Sequence, residues 1–157
     1  MSQFKYGEAK LRFLDDAGQF GLLVSPLPGH RMFRFQILVG GRLIGDQEGC
    51  ILGSIMAQLE DRPRIDDAKF DVELDPTDLM DMLAADESLY DVTMMSSVES
   101  LDGWTLHGFF RADRFLLLAR EVVRDGGGEI LVGSVERADY DSIVEAARDF
   151  WLKSQLQ

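Results

Sequence analysis

The sequence predicts an α+β domain, a mainly antiparallel sheet with two to three helices packed against it. Three patterns carry this reading. Phe33, Phe35, Ile37 and Val39 alternate with Arg34, Gln36 and Leu38, the two-residue period of a strand. Tyr140, Ile143, Val144, Ala147, Phe150 and Trp151 recur at the helical period near the C-terminus. Between these, short apolar runs are separated by turn compositions such as Asp15-Asp16-Ala17-Gly18, Gly40-Gly41 and Asp125-Gly126-Gly127-Gly128. Strands joined this way, with helices laid on them, form the α+β arrangement.

The elements follow in chain order. Lys10 to Leu14 and Phe20 to Val24 are expected as strands around the Asp15–Gly18 turn. Ser25 to Gly29 is a loop. After the strand of Phe33–Val39, Gly40-Gly41 favours a tight hairpin, because glycine takes positive φ without strain. Arg42-Leu43-Ile44 starts the returning strand. Ile51, Leu52, Ile55, Met56 and Leu59 place one apolar stripe on a helix over Gly49–Asp61, with Asp46 as its cap or first-turn acid and Arg62-Pro63 as its stop.

Phe70, Val72 and Leu74 alternate with Asp71, Glu73 and Asp75, a half-buried strand with an acidic outer ridge. Asp75 is then an N-cap and Pro76 a first helical residue. Leu79, Met82 and Leu83 form that helix's buried side, and Asp78 and Asp81 lie on the other. Tyr90–Met95 and Trp104–Arg111 are expected strands, and Phe115–Val123 with Glu129–Val135 a hairpin. Leu116-Leu117-Leu118 is apolar on both faces, which places it centrally in the sheet. Asp139 caps a helix running to Gln155. No repeat or linker divides the chain, and residues 1–157 are read as one domain, a length that buries roughly 68–70% of the unfolded surface.

Charge is the most informative bulk property. The net charge is −12, yet residues 60–102 hold 14 Asp and Glu against Arg62, Arg64 and Lys69, a net −11. The rest of the chain carries −1. Such a segment repels nucleic acid and anionic lipid and attracts a basic partner. A solvated, solubilising face is the plainer reading.

Signals for chemistry are weak. Cys50 is the single cysteine, which excludes an intramolecular disulfide and a cysteine-rich metal site. His30 lies in a loop and His107 on a strand, with no Gly-x-Ser-x-Gly elbow to make either a catalytic base. Zinc-ligand spacing is missing, and the acids of residues 60–102 do not fit a calcium loop. Gly126-Gly127-Gly128 leads into a strand, where a phosphate loop leads into a helix. A non-enzymatic protein without metal or cofactor is expected. Met80, Met82, Met94 and Met95 suit core filling better than an adaptable binding surface. The first residues lack a basic region followed by an apolar stretch, and no apolar run reaches ~20 residues, so a cytoplasmic protein without a membrane span is expected.

The run Phe33 to Asp46, followed by the helix with Leu52, Ile55 and Leu59, resembles immunity-protein family 42 of bacterial polymorphic toxin systems. Gly45 and Asp46 match the Gly-Asp step of that family, and the likeness spans residues 33–60, with a vaguer one in the helix ending Phe150-Trp151. It implies a small α+β protein that neutralises a cognate toxin. Its partner would then be a protein toxin with a basic surface, and the protein a monomer or homodimer. Gly45 and Asp46 also suit a plain turn and helix cap. The acidic segment points the same way as the resemblance, since an acidic surface suits a basic cleft meant for phosphates. Asp66, Asp67, Asp71, Glu73, Asp78, Asp81, Asp86 and Glu87 are the candidate partner-binding residues. The alternative is an acidic secretion chaperone or adaptor holding an effector segment in apolar grooves. A carboxylate enzyme is the third class.

Overall fold

A computed structural model describes residues 11–27, 32–45, 49–65, 75–96, 98, 101–125 and 127–156. The elements run β1 (Leu11–Leu14), β2 (Phe20–Pro26), β3 (Phe33–Val39), β4 (Arg42–Ile44), β5 (Gly49–Cys50), α1 (Leu52–Glu60), α2 (Pro76–Ala85), a 3-10 helix (Glu87–Val92), β6 (Thr93–Met94), β7 (Trp104–Arg111), β8 (Arg114–Glu121), β9 (Ile130–Glu136) and α3 (Arg137–Gln155). The class is α+β, as the sequence predicts. The antiparallel strands divide between two sheets. The first has the order β1-β2-β3-β4, with β5 pairing β3, and the second the order β6-β7-β8-β9.

The first sheet follows from its turns. Gly18 has φ +70°, and Asp15 closes that turn by accepting the Phe20 N–H on its carboxylate at 2.8 Å. Gly40 and Gly41 have φ of +58° and +86°, the double positive pair of the tightest hairpin. The register sets Phe20 opposite Val39, Leu22 opposite Ile37 and Val24 opposite Phe35. All six are buried on one face.

Gly40 also explains how the sheets meet. A Cβ there would lie 2.3 Å from the Val132 carbonyl oxygen on β9. A Cβ on Gly133 would lie 2.4 Å from that of Gln19. Two glycines thus let the β1–β2 and β3–β4 turns press directly against β9.

Tyr140 of α3 sits where both sheets converge. Its ring packs on Phe20 of β2 at 5.3 Å, Phe110 of β7 at 5.1 Å and Phe115 of β8 at 4.0 Å. Its hydroxyl donates to the Leu59 carbonyl of α1 at 2.6 Å. Burial of this ring pushes the phenol well above its ordinary range.

β8 is central to the second sheet, as Leu116-Leu117-Leu118 predicts. Phe115, Leu117 and Ala119 face the main core, while Leu118 joins Phe109, Met80, Leu83, Leu89, Val92 and Ile65 in a second cluster beneath α2. The methionines fill core: Met80, Met94 and Met95 are buried. On α2 the deepest residues are Met80 and Leu83, with Leu79 and Met82 half-buried beside them.

Several local expectations change. Tyr90–Met95 is not a strand. Asp86 accepts the Ser88 N–H and hydroxyl on one carboxylate oxygen at 3.0 and 2.6 Å, and its carbonyl accepts Leu89 N–H at 2.9 Å. That turn starts a 3-10 helix through Val92 and leaves only Thr93–Met94 to pair with β7. The helix expected over Gly49–Asp61 begins at Leu52, because Gly49 and Cys50 pair with Arg34 and Phe33. Its capping position is held by Ile51, not Asp46, and its first turn carries no acid. Asp139 is likewise not the cap of α3. Glu136 holds that position, and Asp139 lies in the first turn, where it still meets the positive helix end. The strand expected at Phe70–Leu74 lies outside the described residues.

Candidate protein-binding face

α2 is built as its sequence implies. The Asp75 carboxylate accepts the Asp78 N–H at 2.9 Å, Pro76 takes the first position, and Asp78 lies at the positive end of the dipole. Burial of Met80 and Leu83 fixes the helix's rotation, so Asp78 and Asp81 turn outward. Four of the eight acids expected to meet a partner are described, namely Asp78, Asp81, Asp86 and Glu87, and all four are exposed. They follow one another over α2 and into the 3-10 helix, with Asp78 to Asp86 spanning roughly 12 Å at the helical rise. Asp66, Asp67, Asp71 and Glu73 lie outside the described residues, as does Asp46.

The four differ in availability. Asp86 is committed to the turn that ends α2. Asp81 pairs with Arg120 of β8 at 2.9 Å, and Arg120 also reaches the Thr77 carbonyl at 3.3 Å. Asp78 and Glu87 have no side-chain bond or ion pair among the described residues, and Asp91 is exposed beside them. The uncompensated charge of α2 and the 3-10 helix is therefore concentrated on Asp78 and Glu87, since Asp91, though exposed, acts on the Arg62 guanidinium. Sequence reasoning left out Asp91. Its exposure depends on the 3-10 helix that replaces the expected strand.

Gly45 has a structural role. Its φ is +108°, its carbonyl accepts the Gln36 side-chain amide at 2.9 Å, and a Cβ would come 3.1 Å from the Phe35 carbonyl oxygen. Only glycine fits that corner after β4.

A cleft of about 480 Å³ opens beside α2. Its lining includes Thr77 and Asp81 of α2, Arg120 and Glu121 of β8, and Val122 and Val123 beyond it. The strand expected to reach Val123 ends at Glu121, leaving Val122 60% and Val123 38% exposed. The signal lay in two adjacent β-branched residues just before Arg124-Asp125-Gly126.

Residues singled out for chemistry are built into the fold. His107 is buried under α2 with Nδ1 3.3 Å from the Thr93 hydroxyl. Burial, helped by the nearby Arg120 guanidinium, lowers it to about 4, so its imidazole is neutral near pH 7. His30 lies outside the described residues. The Cys50 thiol donates to the Phe33 carbonyl at 3.2 Å, and burial pushes it up to about 12. Arg62 donates to the carbonyls of Gln58, Gly108 and Val92, joining α1 to the second sheet and the 3-10 helix. Among the described residues no three His, Cys, Asp or Glu side chains gather to hold a metal ion. No described helix is long and apolar enough to cross a membrane.

Comparison with solved structures places this architecture beside CdiI from Burkholderia dolosa AUO158. The two align with a TM-score of 0.58 over 89% of this chain and 98% of that one, at 16% sequence identity. The likeness is one of fold. No family model matches the sequence. No curated protein matches it either.

Proposed function

We propose that this protein is an immunity protein that binds a cognate bacterial toxin and neutralises it in the cytoplasm. The single observation that carries the proposal is the fold shared with CdiI over nearly the whole of both chains. CdiI is an immunity protein of contact-dependent inhibition. The hairpin and helix of residues 33–60 supply the likeness to immunity family 42, and we place the protein in that neighbourhood.

The acidic face supplies the means of binding. Asp78 and Glu87 stand exposed without side-chain partners among the described residues, Asp91 is exposed beside them, and Asp66, Asp67, Asp71 and Glu73 extend the same segment in sequence. An unneutralised anionic face accelerates encounter with a basic surface and disfavours phosphate backbones. A toxin with a basic cleft is the partner this charge suits. Binding of this kind needs no cofactor and no reaction at the interface.

The test is inhibition in solution. The toxin encoded by the neighbouring gene is assayed alone and with increasing amounts of this protein. Stoichiometric loss of toxin activity is expected. Full toxin activity in the presence of a large excess would overturn the proposal.

A further inference from the structure

We infer that the outer side of the seam between the two sheets is the apolar centre of the toxin interface, and that it takes an apolar patch rimmed by lysine or arginine. The inference rests on the immunity reading for the partner's identity, and adds to it a surface outside the acidic segment.

The register builds the first half of this surface. Leu14 pairs with Gly21, Gly21 with Leu38 and Leu38 with Leu43, so one row crosses β1 to β4. The next row, Phe13-Leu22-Ile37-Ile44, faces the core, and strand alternation turns the Leu14 row to the opposite face. Gly21 lets the row close up. A Cβ there would lie 2.2 Å from Leu14 Cδ2, so the Leu14 side chain lies across the glycine. Leu38 is half-buried, while Leu14 is 42% and Leu43 38% exposed.

The second half comes from β9. The turns that press on it, at Gln19 and Gly40, make the Leu14 row the outward-facing row nearest to that strand. Val132, whose carbonyl meets Gly40, pairs with Leu118, and both point to the face that carries α2. Leu118 is 1% exposed beneath α2, whereas Val132 is 38% exposed. The two sheets enclose one core around Phe20, Phe115 and Tyr140, so their other faces meet along the outside of the seam. Leu14, Leu38, Leu43 and Val132 therefore form one apolar ridge.

Charge selects the occupant. The bases beside the ridge are engaged: Arg42 pairs with Glu129, and Arg12 of a neighbouring row has a contact of its own. The acids beside it are free. Asp16 stands exposed in the turn after Leu14. Asp78 stands exposed on the first turn of α2, which lies over β9, since the other end of α2 runs into the 3-10 helix packed on β7. Neither acid has a side-chain bond or ion pair among the described residues. An apolar centre edged by free acids complements an apolar patch with a basic rim. A second copy of this chain fits less well, because it would bring the same acids together on molecules of net charge −12. The free acids steer the partner, and the apolar area removed from water sets how long the complex lasts.

The test has two arms. In the first, the protein with labelled Ile, Leu and Val methyl groups is titrated with the unlabelled neighbouring-gene toxin. The methyl signals of Leu14, Leu38, Leu43 and Val132 should shift. That of Ile51, 66% exposed at the opposite end of β3, should not. In the second, Leu43→Ser and Val132→Thr should each weaken the complex about tenfold through faster dissociation, with the salt dependence of association unchanged. Ile51→Ser should bind as the wild type does. Unshifted ridge methyls, or wild-type affinity in both ridge variants, would overturn the inference and leave the immunity reading standing. A free protein that light scattering shows to be a dimer, dissociated by Leu43→Ser, would assign the ridge to a second copy and overturn it as well. A wild type that binds no toxin would overturn both.

Discussion

Arg120 on β8 and Asp81 on α2 form an ion pair at 2.9 Å, so one of the acids expected to face a partner is already neutralised by the protein itself. The pair ties the acidic helix to the central strand of the second sheet. It also divides the acidic surface into spent charge and free charge.

That division makes a prediction about binding. Asp78→Lys together with Glu87→Lys should slow association with the toxin about tenfold at low salt and flatten its salt dependence. Asp81→Asn should change the association rate far less. Stopped-flow kinetics at two salt concentrations check this, with circular dichroism confirming an unchanged fold. Equal effects from all three positions would contradict the division.

The same pair should matter little for stability. Asp81 is 62% exposed and Arg120 30% at the side chain. Exposed pairs contribute about 0–1 kcal/mol, so Asp81→Asn should lower the unfolding free energy by no more than that in urea titration.

Tyr140 is the opposite case. Tyr140→Phe keeps the ring against Phe20, Phe110 and Phe115 but leaves the Leu59 carbonyl without its donor. A loss of about 1–3 kcal/mol is expected, measured by urea unfolding, with toxin affinity unchanged.

His107 sets a pH dependence. Its folded value near 4 lies below the ordinary 6.5. Between those values the unfolded chain binds a proton that the folded chain refuses, so stability is full above about pH 6.5 and falls as pH drops toward 4. Thermal melts should show the wild type losing stability over that window. His107→Gln should lose less, whatever its stability at neutral pH.

Much of the fold was legible because local patterns agreed with it. Gly40-Gly41 between two alternating runs specified the β3–β4 hairpin, and the apolar stripe of Tyr140 to Trp151 specified α3. The strand Trp104–Arg111 has the expected limits. Other features depended on long-range contacts. Two sheets stand where one was expected, and they meet where Gly40 and Gly133 let distant backbones touch, a contact no strand period encodes. The 3-10 helix replaces a strand because the Asp86 side chain captures Ser88. The acidic segment was visible as composition, but its division was not, since Arg120 lies 39 residues from Asp81 in sequence. The cleft was equally hidden, being assembled from α2, β7, β8 and the β8–β9 connection.

Co-expression with the neighbouring-gene toxin, scored by growth and by co-purification at low and high salt, tests the central claim most directly. The account predicts that growth is restored and that the two proteins purify as a complex weakened by salt. Toxicity that persists with no complex formed would contradict it.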